Sequence, residues 1–503
     1  MLPLLQTNES DKPHQMCSNQ YPTTTVDPNT SAYLYAKCDM DVCTRLGDEF
    51  AIFDESIKPG TLARVYKALY GLPTSANRWH AHLADHLRQM DFKPTRYDPD
   101  VWIKYRDDTR QDLDYIGTHT DDLMIVAKDP MQYMKCLQET FTIKKVAPPE
   151  FHLGCDYKRC SVTNRWMIGT KTYVKEALEK VKELLSLKDD IQGRNCLGTE
   201  STPMQANYQP ELDDTELLNL AKHREYQKLI GMAQWLITCG RMDISFAVSS
   251  LSRFSAAPRL GHYKAAVRIF KYLNQAPEKW ILINPDDLVL PAETERKYTD
   301  VNWKSHYADA EEELDPKFPH APNMKPLSTH IFYDANFAHD ESTRRSITGI
   351  MAFVGSMPVL WMSKRQGAIA TSTYSAEMCA AKVACEEAVG LRYMLRSLGV
   401  PIPLGTAPTI LLGDNQGQQD SVTNPGSFCK KKHSHVAWHY VRECEAAGIV
   451  ESRKIDTKFN ASDPFTKALD KTLFGKHFGY IFTPPAKVVR RRMGRKQKVK
   501  RRL

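Results

Sequence analysis

The sequence predicts an α+β chain of several domains, and three observations carry that reading. At 503 residues the chain is longer than one ordinary hydrophobic core supports, since domains run to about 100–200 residues. Short apolar runs alternate with helical stretches from Ala32 to Gly154, whereas residues 160–275 carry mainly helical periodicity. Beyond Thr329 the apolar runs and amphipathic stretches follow one another as βββαβαβα, an α/β pattern. A hydrophobic content of 42% with 25% charged residues is globular composition, which excludes disorder over most of the chain.

Taken in order, residues 1–28 are polar, hold Pro13, Pro22 and Pro28, and show no periodicity. They are expected to form a disordered leader. Within residues 29–159, Ser75 to Met90 reads as a helix and Tyr115 to Val126 as a strand, turn and strand. Residues 160–283 are expected to be helical, with amphipathic segments at Tyr173–Leu187, Tyr226–Cys239 and Gly261–Leu273 separated by Pro-bearing loops. Residues 284–328 mix prolines with the acidic run Glu311 to Glu313 and lack apolar periodicity, so a linker is expected there. Residues 329–470 form the α/β unit, and residues 471–503 a basic tail.

In the α/β unit, Thr329 to Asp334 is a β-prone run ending in a carboxylate, and Ser375 to Leu398 is a long helix. Thr409 to Leu412 is a buried-type strand leading to Asp414, and Ser462 to Leu469 reads as a capped helix. Four acids thus fall at element ends: Asp334, Glu377, Asp414 and Asp463. A single Asp at a strand end is usually a cap or turn residue. Four together suit two divalent ions, Mg²⁺ or Mn²⁺, which would stabilise the attacking and leaving oxygens in phosphodiester hydrolysis.

Several function classes are excluded. The N-terminus has neither the basic region nor the apolar length of a signal peptide. The most apolar stretch, Gly349 to Met362, is too short to span a bilayer and contains Pro358, so no membrane partner is expected and the chain is placed in the cytoplasm or nucleus. Twelve cysteines occur without a CxxC pair, and His152, Cys155 and Cys160 make a poor zinc set. Of the net charge of +8, Lys487 to Leu503 supplies ten Lys or Arg and no acid, so the basic character belongs to the tail. Such a tail would engage nucleic-acid phosphates or serve as a nuclear import signal.

The motifs YDAN at 333–336, RSITG at 345–349, WMSKRQ at 361–366, TSTYSAE at 371–377, GDNQ at 413–416, KHSHVAWHYVRE at 432–443 and SDPFTKAL at 462–469 closely resemble the ribonuclease H of copia-type retrotransposons. The resemblance implies that Asp334, Glu377, Asp414 and Asp463 are its catalytic, metal-holding set and that the substrate is an RNA–DNA hybrid. His433, His435 and His439 straddle a helix start beside Lys430 to Lys432, a spacing that fits phosphate contact or packing better than metal ligation.

VYKALYGLPTSANRWH at 65–80, THTDDLMIV at 118–126 and FHLGCDYKR at 151–159 resemble reverse transcriptase blocks of the same family, and residues 226–273 resemble its thumb and connection region. The resemblance implies a partial palm at 29–159, a helical thumb and connection at 160–283, and metal ligation by Asp121 and Asp122. A third palm Asp is expected five residues before Tyr33, where Pro28 stands, with Asp27 one residue off. With the fingers missing, the element reads as cut at its 5′ side, and polymerase activity is expected to be lost. The expectation is therefore a reverse transcriptase and ribonuclease H fragment that hydrolyses RNA in hybrids. The alternative is a non-catalytic nucleic-acid-binding relic or a domesticated retroelement protein.

Overall fold

The computed structural model describes residues 23–28, 32–48, 58–186, 197–292, 294, 296–299, 301–429 and 431–482. The basic run at 487–503 lies outside them. In chain order the first elements are β1 (Thr23–Pro28), β2 (Cys43–Arg45), β3 (Leu62–Arg64), α1 (Ser75–Gln89), β4 (Lys93–Pro94), β5 (Val101–Tyr105), β6 (Leu113–His119), β7 (Asp122–Val126), α2 (Pro130–Thr140) and β8 (Ile143–Ala147). Strands β4-β5-β6-β7-β1-β8 form one sheet in that order, and β2 pairs with β3 apart from it. Helix α1 buries Trp79, Leu83, Ala84 and Leu87, one stripe at helical spacing. Trp79 Nε1 also donates to Thr120 O at 2.6 Å, tying α1 to the turn between β6 and β7.

Strand β1 corrects the reading of a disordered leader for residues 23–28, while residues 1–22 lie outside the described residues. Thr23–Pro28 pairs antiparallel with β7 on one side and β8 on the other, with a register shift between Asp27 and Pro28. Pro28 closes the strand, where its missing N–H interrupts the ladder least.

The middle of the chain is less purely helical than its periodicity implies. Strands β9 (Phe151–His152), β10 (Cys155–Arg159), β11 (Trp166–Gly169) and β12 (Trp280–Leu282) form a second sheet around α3 (Lys171–Leu184), α4 (Leu220–Thr238), α5 (Ser245–Ser252) and α6 (Leu260–Gln275). Met167 and Ile281 are buried and each sheet strand is short, too short for its alternation to stand out among helices.

The C-terminal unit comprises β13 (Thr329–Asn336), β14 (Ile347–Val354), β15 (Met357–Arg365), α7 (Thr373–Ser397), β16 (Thr409–Gly413), α8 (Gln416–Thr423), α9 (His435–Ala446), β17 (Val450–Lys454) and α10 (Lys471–Ile481). The sheet order is β15-β14-β13-β16-β17, antiparallel through β13 and parallel beyond it. The expected helix over Ser462–Leu469 is not formed. Asp463–Phe465 is one 3-10 turn, and α10 starts later, capped by Asp470, whose side chain accepts from Thr472 N and Leu473 N. Ser462 looked like the cap, but its Oγ donates to Asn460 Oδ1 at 2.7 Å.

Residues 284–328, expected as a linker, have little regular structure yet pack tightly. Trp303, Ala321 and Met324 are buried. Glu312 receives Arg392 Nε and Nη2 at 2.7 Å each, and Arg396 pairs with the same carboxylate. Asp315 meets Arg96 at 2.7 Å, so this segment joins the first sheet to α7. The middle unit holds the same domain elsewhere: Asp340 sits between Arg253 at 2.6 Å and Arg365 at 2.8 Å.

Candidate active site

Asp334 lies near the end of β13, and Asp414 directly follows β16, its parallel neighbour. The ladder pairs Phe332 with Leu412, and continuing it by two residues sets Asp334 beside Asp414. Glu377 arrives from the N-terminal part of α7, which Ser372 caps by accepting from Ser375 N at 3.2 Å. Ligand oxygens of Asp334, Glu377 and Asp414 all lie within 4.8 Å of one another. This is the one such acidic, His or Cys set among the described residues.

Burial and mutual repulsion mark the cluster. Burial, with the Asp414 and Asp463 charges adding to it, pushes the Asp334 carboxyl up to about 6 against a hydrogen bond from Thr466. Burial and the Asp334 and Asp414 charges push Glu377 up to about 9. Glu377 Oε2 is buried without a hydrogen-bond partner. Crowded carboxylates and an orphaned carboxylate oxygen in one place fit a divalent cation, which would satisfy the oxygen and reverse the repulsion.

Asp463 is brought to the edge of this cluster rather than into it. Its carboxylate takes Lys467 Nζ at 2.5 Å, one helical turn's spacing away, and faces His477 Nε2 at 3.9 Å. The turn that carries it is held to the sheet: Thr466 Oγ1 donates to Asp334 Oδ2 at 2.6 Å and also lies 2.9 Å from Asp463 O. Asn460, fully buried, donates to Tyr333 O at 3.0 Å. Thr466, Lys467, Asn460 and His477 were not singled out in the sequence. The first two stand three and four residues after Asp463, the one signal that could have found them.

Two glycines make the geometry sterically possible. A Cβ on Gly413, just before Asp414, would meet the Tyr333 ring at 2.5 Å. The Tyr333 hydroxyl in turn donates to Gln418 Oε1 and accepts from Gln419 Nε2, each at 2.7 Å. The other, Gly349, lies where a Cβ would meet Ser462 O.

The second expected pair lies in the first sheet. Asp121 is in the turn and Asp122 opens β7, paired with His119. Thr120 takes φ 54, the left-handed conformation that a tight hairpin needs. Tyr70 is mostly exposed, and its hydroxyl pKa is raised by partial desolvation and by the Asp121 charge. Asp39 and Asp41 are loop acids: Arg78 and Thr74 hold Asp39 down to about 2, and Asp41 pairs with Arg64 at 3.3 Å. Val26 of β1 pairs with Leu123, so one further step along the ladder sets Asp27 across from Asp122.

The weaker metal candidates are separated. His433 Nε2 lies 2.9 Å from Thr371 Oγ1 and Ser375 Oγ, His435 Nε2 2.7 Å from Cys429 O, and His439 Nδ1 2.9 Å from Tyr307 Oη. Cys155 Sγ donates to Cys239 O, while Cys160 Sγ accepts from Val162 N and Thr163 N. Among the described residues no helix is long and apolar enough to cross a membrane.

The sequence model of the reverse transcriptase (RNA-dependent DNA polymerase) family matches residues 18–186. The retrovirus-related Pol polyprotein from transposon RE1 of Arabidopsis thaliana is 24% identical over 440 residues, 86% of this chain and 26% of the relative. That from transposon TNT 1-94 of Nicotiana tabacum is 24% identical over 427 residues, 84% of this chain and 28% of the relative. The chain therefore spans about a quarter of the length of these relatives. A solved ribonuclease H1 from the halophilic archaeon Halobacterium salinarum NRC-1 is 15% identical, covering 28% of this chain and 94% of its own, with a TM-score of 0.22. In its motif order, and against these relatives across most of its length, the chain is similar to the Pol polyproteins of copia-type retrotransposons.

Proposed function

We propose that this chain cleaves the RNA strand of RNA–DNA hybrids at Asp334, Glu377, Asp414 and Asp463. The observation that carries the reading is the convergence of Asp334, Glu377 and Asp414 within 4.8 Å, with Glu377 Oε2 left unpartnered. Asp334, Glu377 and Asp414 would hold Mg²⁺ or Mn²⁺, with Asp463 contributing from the rim. Bound there, such ions supply an activated water and charge stabilisation of the leaving 3′-oxygen. The protein's own part is to fix the carboxylates: Thr466 orients Asp334, Asn460 anchors the Asp463 turn on β13, and Lys467 pairs with the Asp463 carboxylate. Hydrolysis would leave 5′-phosphate and 3′-hydroxyl ends.

The test is cleavage of a labelled hybrid by the full chain with Mg²⁺, with duplex DNA as control. Asp334→Asn and Asp414→Asn keep side-chain shape and remove a charge, so each is expected to lower the rate by orders of magnitude in a folded protein. Equal cleavage by wild type and Asp334→Asn would leave the non-catalytic relic as the better reading.

For polymerisation the backbone favours a second reading over simple loss. Continuing the β1–β7 register by one backbone step from Val26 and Leu123, to Asp27 and Asp122, supports that reading despite the displaced motif. The first sheet would then act as a palm, with α3 to α6 as thumb and connection. Primer extension on an RNA template, compared with Asp121→Asn, decides between them.

A further inference from the structure

Next to the carboxylate cluster, one strand further along the sheet, lies a cavity of about 510 Å³ that the hydrolytic reading does not use. Its walls include Arg296, Lys297, Gln419, Ser452 and Lys454. It opens beside α8, which begins two residues after Asp414, and Lys454 is the ladder partner of Gly413. The volume falls within the roughly 300–1,000 Å³ of small-ligand sites.

The lining is polar, predominantly cationic and incompletely satisfied. Arg296 is aimed by Glu445 at 3.1 Å, and Lys297 approaches Asp420 only to 3.6 Å. Lys454 has no ion pair among the described residues, so three cations face the single lining carboxylate of Asp420. Two buried side chains add unmet hydrogen-bonding capacity. Ser452 is 1% exposed and Gln419 3% exposed, and neither Ser452 Oγ nor Gln419 Oε1 has a hydrogen-bond partner. Gln419 cannot simply turn away, because its amide nitrogen is engaged by Tyr333 Oη at 2.7 Å. A buried polar atom left unpaired costs on the order of 1–3 kcal/mol, so two at one cavity mark a place built to be filled.

The required ligand chemistry follows. Cations and a hydroxyl donor suit phosphate oxygens. An amide oxygen needs an N–H or O–H donor, which a phosphodiester lacks and a sugar hydroxyl or base supplies. We propose that this cavity binds one nucleotide unit, its phosphate at Lys454, Lys297 and Ser452 Oγ and its sugar or base donor on Gln419 Oε1. Two sources share that chemistry: a residue of the strand running past Asp414, which rests on the hydrolytic reading, and a free mononucleotide, which does not.

The experiment measures binding of UMP, AMP, inorganic phosphate and a short RNA–DNA hybrid to the full chain in EDTA, with Lys454→Gln and Ser452→Ala beside wild type. Lys454 is partly exposed, and circular dichroism confirms that its variant is folded. A loss of about tenfold in UMP or AMP affinity in Lys454→Gln assigns the free nucleotide. Unmeasurable mononucleotide binding with about tenfold weaker hybrid binding, and a salt slope shallower by about one, assigns the strand. Unchanged hybrid affinity and slope in both variants, with no mononucleotide bound by wild type, overturns the proposal. Variants that lose nucleotide binding in a protein that cleaves no hybrid would remove the hydrolytic reading and leave the cavity's assignment standing.

Discussion

Gly349 stands directly opposite Asp334 in the β13–β14 ladder, and its bare α-carbon lets the Ser462–Thr466 turn lie on the sheet. A Cβ there would come within 2.7 Å of both Ser462 O and Thr466 Cγ2. Gly349→Ala should displace the turn that carries Asp463 and orients Asp334. Because misplacement by about 1 Å can cost about 100-fold in rate, hybrid cleavage should fall about that far while the chain stays folded. Wild-type turnover by a folded Gly349→Ala protein would refute the steric account.

The Glu312 clamp makes a stability prediction. Arg392 and Arg396 are 0% and 8% exposed at the side chain, and both depend on Glu312. Burial alone would raise the Glu312 pKa, but hydrogen bonds from Arg392 and Arg396 outweigh it and hold it down. Glu312→Ala leaves two buried guanidiniums without a counter-charge and should destabilise the chain by about 3–5 kcal/mol. Denaturant titration reads this directly. A loss below about 1 kcal/mol would mean that the clamp is solvated in solution.

Acid sensitivity should trace in part to His330. Burial pushes its imidazole down to about 4, so the unfolded chain binds the proton more readily than the folded one. The stabilisation is therefore complete above the unfolded value near 6.5 and is lost as pH falls toward 4, up to about 3 kcal/mol. His330→Leu should flatten the stability profile between those limits. An unaltered slope across that acid range would assign the response to other groups.

Divalent cation binding should release protons. With Glu377 held up at about 9 and Asp334 at about 6, neither is fully ionised at neutral pH without a cation. Apparent Mn²⁺ affinity should rise with pH across that range. Calorimetry in buffers of different ionisation enthalpy should show proton release, and Glu377→Gln should abolish most of it. Binding without proton exchange would contradict the shifted values.

The basic run at 487–503 is proposed to add affinity without sequence preference. Its removal should weaken binding of unrelated nucleic acids alike. On duplex DNA the log K against log salt slope should flatten by about 0.9 for each phosphate that the tail neutralises. An unchanged slope would give the tail another role.

What the sequence made legible was the set of acids near the ends of regular elements that the structure brings together. Asp334, Glu377 and Asp414 each stand within a few residues of the end of an element whose periodicity is strong, and ordered motifs surround them. Asp463 lies at the rim of the cluster in a setting that differs from the expected capped helix, because Ser462 resembles a cap while its hydroxyl is committed to Asn460. Periodicity also misses anchors that occur singly. Trp303, Ala321 and Met324 are isolated in sequence, and Glu312 sits in an acidic run that reads as solvated, yet all four are fastened to the fold. Thr23–Thr25 looked like polar leader, though β-branched residues suit a strand once β7 and β8 supply neighbours on both sides.

The contact between Tyr115 and α7 bears on how this chain can be divided. The buried Tyr115 hydroxyl from β6 donates to Leu398 O at 2.7 Å, and Leu113, Met324 and Leu398 belong to one continuous apolar cluster. Motif blocks therefore mark where chemistry resides and not where cooperativity ends. A protein cut at residue 329 would expose an apolar seam and strip a partner from the end of α7. Any excised segment should accordingly be judged first by whether it melts in a single transition, and only then by what it catalyses.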